Sequence, residues 1–428
     1  MPATIYSLAT ARGKAGVAIV RVSGPEALDA LAQFGVSSVQ PRRATLRKLR
    51  RGDDMIDEAV VLHFPAGESF TGEDVVEFQL HGSIAVVGAI LRALGDVPGL
   101  RPALAGEFTR RALENGVLDL TQVEGLADLI DAETEAQRRQ AQKVLSGAIG
   151  ARVRAWRLDL VRAAALLEAS IDFADEELPV DVLDEVAELV AGLRKAFVSE
   201  INGSRVAERV RDGFEIALIG APNSGKSSLL NALAGRDASI TSAVAGTTRD
   251  VIEVRMEIGG LPVTMLDTAG LRETTDEVES IGVARALERA RAADLRIMLC
   301  EPGAEPVPFE LGSDDFNLLT KADLHPELGE ISSITGKGLD AVIARIESVL
   351  QKRMAASGVL TRDRHRFALE RGLRSLDSAQ DWLYHGYQHA EFAAADLRSA
   401  MLALECLIGQ VGVEALLDEI FASFCIGK

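Results

Sequence analysis

Cysteine is nearly absent: Cys300, Cys406 and Cys425 are the full complement in 428 residues. They share no paired spacing, so neither a disulfide framework nor a zinc site is indicated, and a reducing compartment is expected. No apolar run approaches the ~18 residues of a membrane span. The opening Met1-Pro2-Ala3-Thr4-Ile5-Tyr6 lacks the charged and apolar regions of a signal peptide, so a soluble cytoplasmic protein with no membrane contact is expected. Basic charge is scarce too. A net charge of −18 argues against a broad nucleic-acid surface, because basic patches drive phosphate binding by releasing counterions. Two local exceptions stand out. Arg42, Arg43, Arg47, Lys48, Arg50 and Arg51 read as a solvated strand edge, and Arg362, Arg364, Arg366, Arg371 and Arg374 as a solvated helix face. No Gly-x-Gly-x-x-Gly dinucleotide fingerprint occurs. His385 and His389 have metal-ligand spacing on one helix face but no third ligand, and read as a surface pair.

What is present is material for globular cores, with 47% hydrophobic residues and a length that predicts about three domains. The apolar run Phe214-Glu215-Ile216-Ala217-Leu218-Ile219 leads into Gly220-Ala221-Pro222-Asn223-Ser224-Gly225-Lys226-Ser227 and then into a helical pattern from Ser228. This is a strand, a glycine loop and a helix. Backbone N–H groups at such a loop offer partial positive charge to phosphates, Lys226 reaches the β/γ oxygens, and the Ser227 hydroxyl ligates magnesium.

Three further motifs turn this loop into a guanine-nucleotide switch. Gly246-Thr247-Thr248-Arg249-Asp250 carries a threonine able to close on magnesium. Asp267-Thr268-Ala269-Gly270 supplies an acid for the metal and a glycine N–H that senses a γ-phosphate. Thr320-Lys321-Ala322-Asp323 resembles the Asn-Lys-x-Asp guanine reader, with threonine in the asparagine position and one hydroxyl where an amide has both a donor and an acceptor. Ser332-Ser333-Ile334-Thr335-Gly336 is the expected last base-contacting loop. Leu271 stands where Ras-like switches carry a water-orienting glutamine, so hydrolysis needs a polar group from elsewhere, and Glu273, Asp276, Glu277 and Glu279 are the nearest reservoir. Three prolines, Pro302, Pro306 and Pro308, lie between two strands where a doubly wound sheet normally has a helix, and predict a loop or a single turn there.

These motifs, together with Ser69-Phe70-Thr71-Gly72-Glu73-Asp74, Gly106-Glu107-Phe108-Thr109, Leu118-Asp119-Leu120-Thr121-Gln122 and the terminal Phe424-Cys425-Ile426-Gly427-Lys428, resemble the MnmE (TrmE) family of tRNA-modification GTPases nearly end to end. The resemblance implies GTP contacts from Asn223, Ser224, Gly225, Lys226, Ser227 and Ser228. It adds Ser242, Ala243, Val244, Ala245, Gly246, Thr247 and Thr248, then Asp267, Thr268, Ala269 and Gly270, and finally Lys321 and Asp323. It implies potassium at Asn223, Ser242, Val244 and Thr247 and magnesium at Ser227 and Thr248. Glu279 is then the catalytic group that orients water. A tetrahydrofolate derivative, 5-formyl- or methylene-tetrahydrofolate, is implied at Arg21, Glu77 and Lys428. A further folate contact, usually basic, aligns with Val117, near Arg110 and Arg111. Cys425 is implied as catalytic; from the residues alone it reads equally as a reactive thiol or a small buried apolar group.

The implied fold is a multidomain α/β chain. An α+β tetrahydrofolate-binding and dimerisation domain spans 1–118, helical-domain segments span 119–211 and 353–428, and a Ras-like doubly wound P-loop GTPase domain is inserted at 212–352. Strands are read at Val17–Val22, Glu58–Phe64 and Val75–Leu80 by their composition and Gly/Pro bounds. Arg21 and Glu77 on two of them read, without the family, as a half-buried ion pair. Helices run from Thr121 to Phe173 and from Pro179 to about Arg211, and Trp156 and Trp382 read as core. The implied assembly is a homodimer, and a heterotetramer with an FAD-binding protein of the MnmG/GidA type. That complex acts at carbon 5 of the wobble uridine of tRNA, adding a carboxymethylaminomethyl or aminomethyl group. The competing class is a ribosome-assembly-type GTPase, a binding switch in which nucleotide only gates association.

Overall fold

The computed structural model describes residues 3–172, 182–237, 252–267, 287–385, 389–411, 414–422, 424 and 427. These divide into two units, one made of 1–127 with 408–428 and the other of 128–407.

The first unit is built on a six-stranded sheet of β1 (Thr4–Leu8), β2 (Val17–Ser23), β3 (Thr45–Arg51), β4 (Asp54–Phe64), β5 (Val75–His81) and β6 (Leu100–Pro102). Its order is β3-β4-β5-β2-β1-β6, antiparallel except for β1 beside β6. Along β5 burial alternates from Val76 onward, with Val76, Phe78 and Leu80 turned into the core. There they meet Val20, Val22, Phe34 and Val61, together with Ile90 and Leu94 of α2 (Ile84–Gly95). Phe34 meets Phe78 edge to face at 5.3 Å. Each such buried side chain contributes about 1.5–3 kcal/mol of hydrophobic stabilisation. Helices α1 (Asp29–Gln33), α3 (Glu107–Glu114) and α4 (Leu120–Asp131) complete the first stretch of the unit.

The three strands read from sequence are present at 17–23, 54–64 and 75–81, and β3 is the edge strand expected of the first basic cluster. β1 and β6 are additions. In β1 the four residues Thr4 to Ser7 are all buried, with Tyr6 in the main core and Ile5 against Phe108 and Ala103 on the other side. Burial on both faces removes the two-residue alternation by which a strand is recognised.

The second unit begins with α5 (Glu135–Leu145), α6 (Ala148–Asp172) and α7 (Val182–Asp212). Thr134 and Gln137 form a reciprocal capping box on α5. Trp156 and Phe197 pack edge to face at 4.9 Å between α6 and α7. Glu200 of α7 is buried and binds Arg152 and the Val359 N–H. Gly203 lies so close to Gly358 that a Cβ there would sit 2.6 Å from its nitrogen.

A five-stranded sheet follows: β7 (Phe214–Gly220), β8 (Ile252–Ile258), β9 (Leu261–Asp267), β10 (Leu295–Cys300) and β11 (Phe316–Leu319), in the order β11-β10-β7-β9-β8. All neighbours are parallel except β8 against β9. Helices α8 (Lys226–Asp237) and α9 (Leu339–Met354) flank it. Residues 301–315 form no helix, as the prolines predict. Instead Val307, Phe309 and Leu311 pack on Ala217, Ile219 and Met298, so an extended strap covers that sheet face. Helices α10 (Asp363–Tyr384) and α11 (Ala390–Ile408) close the unit, while α12 (Glu414–Ala422) belongs to the first.

In the second basic cluster Arg371 and Arg374 are exposed, as a solvated face requires, but the first three arginines are half-buried. Arg362 pairs with Asp128 at 2.5 Å, Arg364 donates to the Leu407 carbonyl, and Arg366 reaches Glu208, Asp363 and Glu370. Trp382 is half-buried and stacks on His389 and Phe392, so it is less enclosed than expected. His385 is exposed, and among the described residues no group of metal ligands forms around it or His389.

Candidate functional site

The loop between β7 and α8 leaves the carboxyl end of a central parallel strand, where open α/β sheets bind their ligands. Gly220 has φ +156°, and a Cβ there would meet the Leu299 carbonyl at 2.5 Å and the Ser224 hydroxyl at 2.6 Å, so only glycine fits. Asn223 holds the left-handed conformation at φ +62°, which asparagine tolerates better than most residues. Lys226 is 5% exposed and donates from Nζ to the carbonyls of Gly220 and Ala221 at 2.8 and 2.9 Å. Burial pushes its pKa down, while Asp267 opposes that shift. The Ser224 hydroxyl is buried without a hydrogen-bond partner, an orphan polar atom within the phosphate cradle.

Ser227 donates from Oγ to Asp267 Oδ2 at 2.5 Å, joining the first turn of α8 to the end of β9. This hydroxyl and carboxylate are hard oxygen donors of the kind magnesium takes, with phosphates and water completing its shell. The residues present therefore fit the metal.

Asp323 lies in the loop after β11. It accepts from Ser332 Oγ at 2.7 Å, and Ser332 Oγ in turn accepts the Thr335 N–H at 3.2 Å. The Ser332 hydroxyl first, and a backbone N–H second, hold the Asp323 carboxyl below its usual pKa. Ser332 thus orients the Asp323 carboxylate, a contact its sequence position did not reveal. Thr320 is buried and donates its hydroxyl to the Cys300 carbonyl at 3.2 Å, so that group is spent on β10. Lys321, at φ +57°, pairs with Glu301 at 2.5 Å.

Several expected site residues lie outside the described residues: Ser242, Ala243, Val244, Ala245, Gly246, Thr247, Thr248, Thr268, Ala269, Gly270, Glu279, Cys425 and Lys428. Of the implied potassium ligands, only Asn223 is described, and it is exposed.

The first unit holds a second constellation. Arg21 and Glu77 are cross-strand partners on β2 and β5, and Arg21 Nε donates to Glu77 Oε1 at 2.8 Å. Phe70 and Phe108 flank the guanidinium at 5.5 and 5.7 Å from their ring centres. Its terminal nitrogens bond to no described residue. Available donors, a carboxylate and two rings fit a flat heterocycle with acidic substituents. Gly427, at φ +106°, presses on Leu8, the neighbour of Arg21's partner Ser7, and any side chain there would collide with the Leu8 carbonyl.

What sequence reading missed is the support beneath. Arg111, 6% exposed, binds Glu73 at 2.9 Å, Glu107 at 3.1 Å and the Ala3 carbonyl at 2.7 Å. Ser23 adds bonds to Thr71 and Glu73 at 2.7 Å each. The loop bearing Phe70 and the helix bearing Phe108 are thereby tied together. Neither arginine near Val117 is idle, since Arg110 pairs with Asp418 and lies over Phe421.

Strand–loop–helix, Lys226 in its loop, Ser227 against Asp267, and Asp323 held by Ser332 define a P-loop guanine-nucleotide domain of Ras-like sheet order. Residues 4–117 match the family model described as the GTP-binding protein TrmE N-terminus, and residues 120–425 that of the MnmE helical domain. A tRNA modification GTPase MnmE of Cereibacter sphaeroides is 60% identical over 426 residues, covering 99% of this chain and 100% of that protein. Proteins of the same description from Ruegeria pomeroyi and Parvibaculum lavamentivorans are 56% and 51% identical over the same shares. The chain belongs to the MnmE family of tRNA-modification GTPases.

Proposed function

We propose that this GTP hydrolase acts in tRNA modification as a potassium-dependent switch. With a flavoprotein of the MnmG/GidA type that holds FAD, it builds the carboxymethylaminomethyl or aminomethyl group at carbon 5 of the wobble uridine. The observation that carries the reading is the junction of Lys226, Ser227 and Asp267 at the carboxyl ends of β7 and β9. Lys226 binds and orients the β/γ oxygens once it leaves the loop carbonyls. Ser227 and Thr248 hold magnesium, and Asp267 fixes the Ser227 hydroxyl toward it. Asp323 accepts from guanine, and Glu279 positions the attacking water where Leu271 cannot.

Asn223, Ser242, Val244 and Thr247 are the proposed potassium ligands, and a cation there supplies transition-state charge neutralisation. Arg21, Glu77 and Lys428 are proposed to hold the tetrahydrofolate derivative, which supplies the one-carbon unit. The domain division at 118, 211 and 352, a homodimer, a heterotetramer, a cytoplasmic location and a chemical role for Cys425 belong to the same proposal. No helix among the described residues is long and apolar enough to cross a membrane.

The test is steady-state GTP hydrolysis in potassium chloride against sodium chloride at equal ionic strength, with ATP as control. Faster turnover in potassium with GTP preferred is expected. Equal rates in both salts would remove the cation from the mechanism, and no preference for GTP would remove Asp323 from base recognition.

A further inference from the structure

The cations of β3 have no task in the sites described above. β3 is the edge of the first unit's sheet, and its sequence, Thr45-Leu46-Arg47-Lys48-Leu49-Arg50-Arg51, contains four cations and no acid. Leu49 is fully buried, so alternation turns Leu46 and Lys48 to the opposite face, where Leu46 is 59% exposed, and Arg50, just past the register shift between Leu49 and Arg50, is exposed as well. Lys48 and Arg50 are exposed and have no carboxylate partner among the described residues. Arg43, just before the strand, is bonded only to neutral Gln40, and Arg47 only to the carbonyls of Ser38 and Leu46.

The acids nearby are set differently. Glu58 sits across from Lys48 on β4, Asp57 of β4 is engaged by His81, and Asp53 and Asp54 lie at the hairpin tip. Only the two end cations are paired, Arg42 with Glu68 and Arg51 with Asp96. This contrasts with the arginines of α10, where Arg362, Arg364 and Arg366 are bound to groups of their own unit.

In a chain of net charge −18, unpaired cations gathered on one open strand suit a polyanion. Alternate positions on a strand lie about 6.8 Å apart, so the exposed Lys48 and Arg50 present a row of charge rather than a pocket for one small anion. We infer that the β3 edge, through Arg43, Lys48 and Arg50, contacts the phosphate backbone of the tRNA substrate. The inference rests on the tRNA reading proposed above and adds where the chain grips its substrate.

The test measures binding of unmodified tRNA to the full chain across a salt series, for wild type and for Arg43→Ser/Lys48→Ser/Arg50→Ser, with GTP hydrolysis as the control for folding. The triple variant is expected to bind about 10-fold or more weakly and to show a salt slope shallower by about 3, with hydrolysis unchanged. Lys48→Arg with Arg50→Lys is expected to bind as wild type does. If the triple variant loses hydrolysis, Lys48→Ser and Arg50→Ser singly are each expected to lower the slope by about 1. Unchanged affinity and slope would overturn the inference. So would self-association of the variant without loss of tRNA, which would make these cations guards against edge-to-edge pairing. Absence of tRNA binding by wild type would overturn both this inference and the reading on which it rests.

Discussion

The two sheets place function in different ways. In the mostly antiparallel sheet one face is only partly covered, and Arg21 and Glu77, the proposed folate ligands, stand in the middle of strands, side by side through cross-strand register. In the parallel sheet β9 is buried at all seven positions, so no strand interior is available and the working groups sit at strand ends and in the loops that follow. A site on a strand face inherits its precision from pairing and from what lies under the flanking loops. A site at strand ends inherits it from loop backbone and from single side-chain links such as Ser227 to Asp267.

If this contrast is right, changes in one sheet should leave the other's activity alone. The largest effect is expected for Arg111→Met, which leaves the half-buried Glu73 without its cation and with only the Ser23 hydroxyl as a side-chain donor, while Glu107 keeps Arg101. Breaking such a pair costs about 3–5 kcal/mol, to be read as earlier denaturant unfolding of the first unit with GTP binding retained. Lys226→Ala is expected to cut GTP hydrolysis by roughly 10²–10³-fold, the scale for one preorganised electrostatic group. Folate affinity measured alongside should not move; a parallel loss would mean the two sites are not independent. Arg21→Ala removes charged hydrogen bonds of about 1.5–3 kcal/mol, so titration calorimetry with 5-formyl-tetrahydrofolate should show roughly 10- to 100-fold weaker binding at wild-type GTPase rates. Unchanged affinity would make the Arg21–Glu77 pair structural. The smallest effect is expected for Thr320→Asn, where one added neutral hydrogen bond of about 0.5–1.5 kcal/mol should raise the GTP-over-ATP preference only a few-fold.

The same contrast explains what could be read from sequence. The phosphate loop was legible because its chemistry is contiguous, with strand, glycines, lysine and serine within fifteen residues. The strap over 301–315 was legible because proline removes the backbone donor a helix needs. β4 and β5 announced themselves through apolar, β-branched runs, whereas β1, enclosed on both sides, had no period to detect. The Arg111–Glu73–Ser23 network joins three distant segments, and nothing local marks Arg111 as its centre. Likewise Ser332 stood in a loop expected to touch the base, but its grip on Asp323 depends on how two loops approach. The arginines of α10 read as solvent-facing because their acids, Asp128 and Glu208, are remote in the chain.

Gly427 pressed against Leu8 has a consequence for biosynthesis. The first unit needs residues 408–428 to finish its packing, yet the whole of the second unit is made in between. At ribosomal rates of ~5–20 residues per second, that interval is roughly 15–60 s. During this time the nascent sheet stands with the surface around Leu8 uncovered, so chaperone protection of the growing chain should matter most before residues 408–428 emerge.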